Sequence, residues 1–119
     1  MPGKLVHIEI GAKDADRAEG FWNSVFGWEF NREAMPGMDY RLFRTGEDQG
    51  GGLYPADQTG NLKVYFDTDD IDTTIGAVRS GGGEAGDKQP IPHVGWWADC
   101  KDTEGNAFSV FQSDESVSG

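Results

Sequence analysis

Two histidines, one cysteine and three strand-like runs of alternating polar and apolar residues hold most of the chemistry open to this 119-residue chain. His7 and Glu9 stand two apart in Leu5-Val6-His7-Ile8-Glu9-Ile10. Successive side chains of a strand point to opposite faces. An imidazole and a carboxylate at this spacing therefore share one face, and Val6, Ile8 and Ile10 share the other. Either His7 or Glu9 can work as a general base, with Lys63 stabilising an enolate-like anion, or the two can act as donors toward a divalent cation. The same alternation groups Lys63, Tyr65 and Asp67 in one run and Ala107, Ser109 and Phe111 in another. His7, Glu9 and Asp67 would make three metal donors. Against that set stands Lys63, a permanent cation with no lone pair to give, whose natural partner is Glu9 or Asp67. His7 is then a polar group near its ordinary pKa.

The remaining reactive residues read more blandly. Cys100 has no helix start or base beside it in sequence and is expected to be a buried structural thiol. A single cysteine forms no internal disulfide, which suits a reducing cytoplasm. His93, between Pro92 and Val94, reads as a solvated loop residue. Trp96 and Trp97 are adjacent, so one faces the core and the other the site or an interface. Arg41 and Arg44 have the donor geometry to clamp an anion, with the surface as their default place. No nucleophile elbow, P-loop or dinucleotide fingerprint occurs. Gly50-Gly51-Gly52 and Gly81-Gly82-Gly83 open no helix, so they read as turns or close backbone approaches.

The elements that would position these residues recur twice. Strand-like Leu5–Ile10 leads to Asp14, and Leu62–Asp67 leads to Asp70; after each the period changes from 2 to about 3.6. Asp14 and Asp70 are good N-caps, since a short carboxylate accepts from the free N–H groups of a first turn. One helix is expected near 15–26, with Ala18, Phe21, Trp22 and Val25 on one face and Gly27 as C-cap. The other is expected near 71–80, with Ile71, Ile75 and Val78 inward. Strands should follow at Trp28–Arg32, Tyr40–Arg44 and Gly51–Tyr54, then near Glu84, Gly95–Cys100 and Ala107–Gln112. A joint falls near Pro55–Asn61, and the polar tail Ser113–Gly119 should fray.

That order, with Asp14-Ala15-Asp16-Arg17-Ala18-Glu19-Gly20-Phe21-Trp22, Val25-Phe26-Gly27-Trp28-Glu29-Phe30, Thr68-Asp69-Asp70-Ile71-Asp72 and Lys101-Asp102-Thr103-Glu104-Gly105-Asn106, resembles the vicinal-oxygen-chelate superfamily, which includes glyoxalases, bleomycin-resistance proteins and dioxygenases, in its glyoxalase-like subgroup. Thr103 departs from the proline usual in that last turn. The resemblance implies an α+β fold: two βαβββ repeats, about 4–56 and 61–113, forming a curled mixed sheet around a cavity with helices outside, in a single domain over 1–119. It also implies, for members with chemistry, one divalent metal held by His, Glu or Gln from the start and end of each half. His7, seven residues before Asp14, fits. Lys63, seven before Asp70, does not, nor does Ser109, four after Gly105. The end of the first half, Gly51-Gly52-Leu53-Tyr54, offers no carboxylate.

The expectation is therefore a small-molecule-binding protein with a degenerate metal site and no cofactor. His7 and Glu9 are its catalytic or metal candidates, and Lys63, Tyr65, Trp97, Ser109 and Phe111 its ligand contacts. The alternative is a lyase, isomerase or dioxygenase related to lactoylglutathione lyase, with or without one divalent metal. A homodimer is expected from the resemblance. With 21 acidic against 10 basic residues the chain carries a charge of −11, which repels nucleic acid and anionic membranes. No apolar run approaches the roughly 18 residues of a membrane span, and the first residues carry no signal-peptide pattern.

Overall fold

The structure, a computed structural model, describes residues 3–57 and 62–118. The chain divides into two compact units, one of residues 6–63 and one of residues 3–5 with 64–118. Each combines a short helix with strands, an α+β architecture.

The first unit contains most of β1 (Leu5–Ala12), then α1 (Ala15–Phe26), β2 (Arg41–Arg44) and β3 (Gly50–Pro55). β3 runs parallel to β1, from His7 opposite Gly50 to Ala12 opposite Pro55, and antiparallel to β2. Helix α1 starts where Asp14 accepts a hydrogen bond from the Arg17 N–H at 3.0 Å. It stops at Gly27, whose φ of 74° suits a residue without Cβ. Ile10, Phe43 and Leu53 form the core, covered by Ile8, Ala12, Ala18, Trp22, Trp28 and Phe30.

Two expectations for this unit need correction. Phe21 and Val25 do not face inward; they are 57% and 52% exposed. The stripe toward the sheet runs through Ala15, Ala18 and Trp22 instead, and Phe21 lies one residue, or about 100°, away from it. Trp28–Arg32 is not a strand either. Only Asn31 pairs, with Leu42, through backbone bonds of 2.8 and 3.1 Å. Trp28 and Phe30 are drawn out of extended pairing by packing on Phe43, at centroid distances of 4.9 and 5.1 Å.

The second unit holds most of β4 (Leu62–Asp67), then α2 (Ile71–Ser80), β5 (Glu84–Ala85), β6 (Gln89–Ile91), β7 (Gly95–Lys101) and β8 (Ala107–Ser113). β4 is parallel to β8, β8 antiparallel to β7, and β7 antiparallel to β5 and β6. β6 was not expected; its Pro90 has no N–H, which sequence reading takes as a break, yet a proline fits an edge strand. Ile71, Ile75, Ala98, Cys100 and Val110 make the core, with Val78 and Trp96 packed on it. Asp70 caps α2 by accepting from the Thr73 N–H at 3.1 Å. Asp102 holds its turn by accepting from the Glu104 and Asn106 N–H groups at 2.9 and 2.8 Å, with Gly105 at φ 86°.

The tail is not frayed over its described residues. Val117 is 5% exposed, and its carbonyl accepts from the His93 N–H at 2.9 Å. Asp114 accepts from Trp96 Nε1 at 3.3 Å and donates its own N–H to the Val94 carbonyl. One apolar residue among polar ones is enough to anchor it. The expected joint at Pro55–Asn61 lies largely outside the described residues.

Candidate functional site

On β1, Ile8 and Ile10 turn toward the core and helix α1, so His7 and Glu9 share the opposite face, as the alternation requires. Glu9 lies opposite Gly52 of β3, and Gly52 lies opposite Leu42 of β2. Tyr40, the residue before β2, lays its ring over Gly52. A Cβ on Gly52 would stand 2.1 Å from Tyr40 Cζ and 2.3 Å from its hydroxyl oxygen. At Gly51 a Cβ would stand 2.0 Å from the Ile8 carbonyl oxygen. The glycine triplet is therefore a strand stripped of side chains where a ring and a backbone close in.

That seat delivers the Tyr40 hydroxyl between the two candidates on β1. It is 2.8 Å from His7 Nε2 and donates to Glu9 Oε2 at 2.7 Å. The other carboxylate oxygen of Glu9 is 3.8 Å from Lys63 Nζ. The rings of His7 and Tyr40 are nearly parallel at 6.4 Å, and Tyr40 stacks on Tyr54 at 6.2 Å. An open groove of about 710 Å³ reaches His7 and is bordered by Trp28, Glu29, Asn31, Arg44 and Gln49.

Burial lowers the His7 pKa from its ordinary value, and the Glu9 charge opposes that only in part. His7 is thus a neutral imidazole at neutral pH, below the ordinary pKa expected from sequence. The cluster as a whole offers a neutral base, a phenol, one carboxylate and one ammonium. It can hydrogen-bond a polar small molecule and move a proton.

This donor set does not fit the divalent metal that the resemblance implies. A metal needs three or more N or O ligands. Among the described residues no group of three or more His, Cys, Asp or Glu side chains is placed to hold one. His7 and Glu9 meet through a phenol, and the Glu9 oxygens are turned to Tyr40 and Lys63.

Of the expected site residues, His7, Glu9 and Lys63 come together in the first unit. Tyr65, Trp97, Ser109 and Phe111 share one face of the second. Tyr65 pairs with Ser109 between β4 and β8, and Trp97 with Phe111 between β7 and β8. Ser109 is fully buried and donates to Asp99 Oδ1 at 2.9 Å. Trp96 belongs to the core side, where Lys88 Nζ lies 4.6 Å over its ring. His93 is exposed at φ 63°, and Cys100 is buried, its thiol pKa pushed up by burial and by Asp99.

Arg41 is not a surface residue. It is 5% exposed and bonds Asp39, Asp16 and Glu19 at 2.8, 3.0 and 3.1 Å. Its hydrogen bond holds the Asp39 carboxyl below the usual carboxylate range. Three carboxylates occupy this guanidinium, so it is no anion clamp. Arg44 is exposed at the groove. Tyr40 was missed by sequence reading, which placed it only as a strand start. The signal that finds it is Gly50-Gly51-Gly52, since a strand without Cβ atoms asks what bulky group lies over it.

A family model described as a glyoxalase-like domain matches residues 7–111. A glyoxylase-like domain-containing protein of Didymella fabae is 30% identical, over 92% of this chain and 94% of its own length. Among solved structures, a glyoxalase/bleomycin resistance protein/dioxygenase superfamily member from Vibrio splendidus 12B01 aligns with a TM-score of 0.70 at 15% identity, over 93% of this chain and 99% of that one. The methylmalonyl-CoA epimerase of Streptomyces coelicolor, solved with 2-nitronate-propionyl-CoA, aligns with a TM-score of 0.65 at 14% identity, over 100% and 99%.

Proposed function

For this chain, which belongs to the glyoxalase-like domain family, we propose binding of a small organic molecule against the polar face of β1, through His7, Tyr40, Glu9 and Lys63 and without a divalent metal. The observation that carries this reading is the Tyr40 hydroxyl, which joins His7 to Glu9 at 2.8 and 2.7 Å. Few, well-placed polar groups beside apolar and aromatic walls are what small-molecule sites use for orientation. Trp97 and Phe111, part-buried, are proposed as ligand contacts on their own unit, without Tyr65 and Ser109, which are buried.

Two of the similar solved structures are methylmalonyl-CoA epimerases in complex with methylmalonyl-CoA or 2-nitronate-propionyl-CoA. A polyanion of that kind suits this chain poorly. Its net charge is −11, and Lys63 is the cation paired into the cluster, already facing Glu9. An uncharged or singly charged ligand fits better. Catalysis of a lyase or isomerase kind is the second reading, favoured by a His7 that is neutral at neutral pH and so available as a base. A homodimer is part of the proposal; sedimentation velocity tests it, and a monomer at every concentration removes it.

A screen of small aromatic and carbonyl compounds by ligand-detected NMR tests the binding function. Hits are expected to weaken on Tyr40→Phe and Lys63→Met. Hits that both variants leave unchanged would place binding elsewhere and overturn the reading.

A further inference from the structure

Tyr40 stands in sequence between Asp39 and Arg41, and these two neighbours grip each other. Arg41 Nε and Nη2 lie 2.8 and 3.2 Å from Asp39 Oδ1 and Oδ2, a forked pair. The same guanidinium reaches α1, with Nη1 3.1 Å from Glu19 Oε1 and Nη2 3.0 Å from Asp16 Oδ1. Arg32, at the other end of the segment 32–41, bonds the same two oxygens, Nε at 3.1 Å from Glu19 Oε1 and Nη2 at 3.0 Å from Asp16 Oδ1. Asn31 and Leu42 close the base of the segment through backbone bonds of 2.8 and 3.1 Å. From this we infer that Arg41, Asp16 and Glu19 are positioning residues for the candidate site, an ion network on the helix side of the sheet that holds the Tyr40 phenol against His7 and Glu9 on the other side.

Asp16 and Glu19 stand three apart on α1, so they share a helix face. Arg41 meets them from β2, where its register partner is Leu53 of the core. Tyr40, one residue earlier, turns the opposite way and lays its ring over Gly52. With Tyr54 stacked on that ring, the phenol leaves most readily if the backbone at 39–41 turns, and Arg41 then turns with it. That movement is costly. The guanidinium is 5% exposed and cannot give up its proton. Drawn away from its carboxylates it would be a buried, uncompensated charge. All three of its nitrogens are engaged, so no small turn spares the set. Arg32 is half-exposed, and its pairs are weakened by water and salt. Arg41 is the buried half of the clamp and carries the larger part of the restraint.

The consequence for ligands rests on the binding function proposed above. Asp16, Glu19 and Arg41 act from the helix side and reach a bound molecule by way of Tyr40. Affinity on the polar face of β1 is then set in part from α1, on the far side of the sheet. Compounds whose binding weakens on Tyr40→Phe should weaken on Arg41→Met as well, because both variants lose the same phenol from the site.

Nuclear Overhauser contacts between the Tyr40 ring protons and the Gly52 Hα protons, recorded on the full chain without ligand, read the seat directly. They are expected in the parent, should be lost in Arg41→Met and should weaken in Glu19→Leu. Glu19→Leu removes one carboxylate and leaves Asp16 and Asp39 on the guanidinium, so it serves where Arg41→Met fails to fold. Full contacts in either folded variant overturn the inference. Val117→Ser, a change in the other unit, supplies destabilisation without touching the network and should keep the contacts in full. Their loss there too would mean that any destabilisation unseats the ring, and would also overturn the inference. Because no ligand is present, a seat kept in the α1 and Arg41 variants strikes this inference alone. A failed ligand screen, with the seat lost as expected, strikes the binding function alone.

Discussion

Replacing Gly52 by alanine tests the seat of Tyr40 without touching any polar group. The added Cβ would meet the ring at 2.1 Å, so the ring must leave. Leaving breaks the bond to the Glu9 carboxylate, worth about 1.5–3 kcal/mol, and the bond to His7, worth about 0.5–1.5 kcal/mol. Both are part-buried, so water replaces some of that loss. In the other direction, alanine narrows the unfolded ensemble and returns about 0.4–1 kcal/mol, and Gly52 is not among the glycines at positive φ. The net expectation is a loss of about 1–3 kcal/mol, measured by urea denaturation. In a Tyr40→Ala background the clash and both bonds are already gone. There Gly52→Ala should be neutral or should stabilise by up to about 1 kcal/mol, giving a coupling energy near 2 kcal/mol. Gly51→Ala is the control. Its Cβ meets the Ile8 backbone oxygen at 2.0 Å, and no change at Tyr40 should rescue it. Equal costs of Gly52→Ala in both backgrounds, within about 0.5 kcal/mol, would refute the reasoning.

The His7 pKa gives a pH signature. A lowered folded-state value means that the unfolded chain binds its proton more readily, so the stability due to His7 is complete above the ordinary value of 6.5 and is lost as pH falls toward the folded value. His7→Gln should flatten that slope in urea melts collected from pH 7.5 downward; identical slopes would show that His7 is not depressed. Arg41→Met removes a buried guanidinium bonded by three carboxylates and should destabilise by about 2–4 kcal/mol. Arg41→Lys should recover little, because one ammonium does not reproduce the fork, and full recovery would show that charge alone matters there. Val117→Ser should cost roughly 1–2 kcal/mol and increase hydrogen exchange at the His93 N–H; a silent substitution would mean that the tail is not anchored.

Local chemistry made much of this fold legible. Asp14, Asp70 and Gly27 mark helix ends by hydrogen-bonding needs that involve only neighbours, and α1 and α2 begin and end where those residues say. The alternation in Leu5–Ile10 set the polar face of β1 for the same reason, and that in Gly95–Cys100 separated Trp96 from Trp97. The failures concern contacts distant in sequence. Trp28–Arg32 has strand composition, but its rings are claimed by Phe43. Arg41 looks like any strand arginine until Asp16 and Glu19 of α1 arrive beside it. Tyr40 is 31 residues from Glu9 and 33 from His7, so no spacing within one element brings it to them.

The central claim is that His7 and Glu9 are joined through the Tyr40 phenol, with Lys63 beside Glu9, and not through a metal. Elemental analysis tests it, on full-length protein equilibrated with Zn²⁺, Ni²⁺, Mn²⁺ and Fe²⁺ in turn and then desalted. The account predicts metal far below one equivalent in every case, unchanged by His7→Ala. Near-stoichiometric metal that disappears on His7→Ala would contradict it.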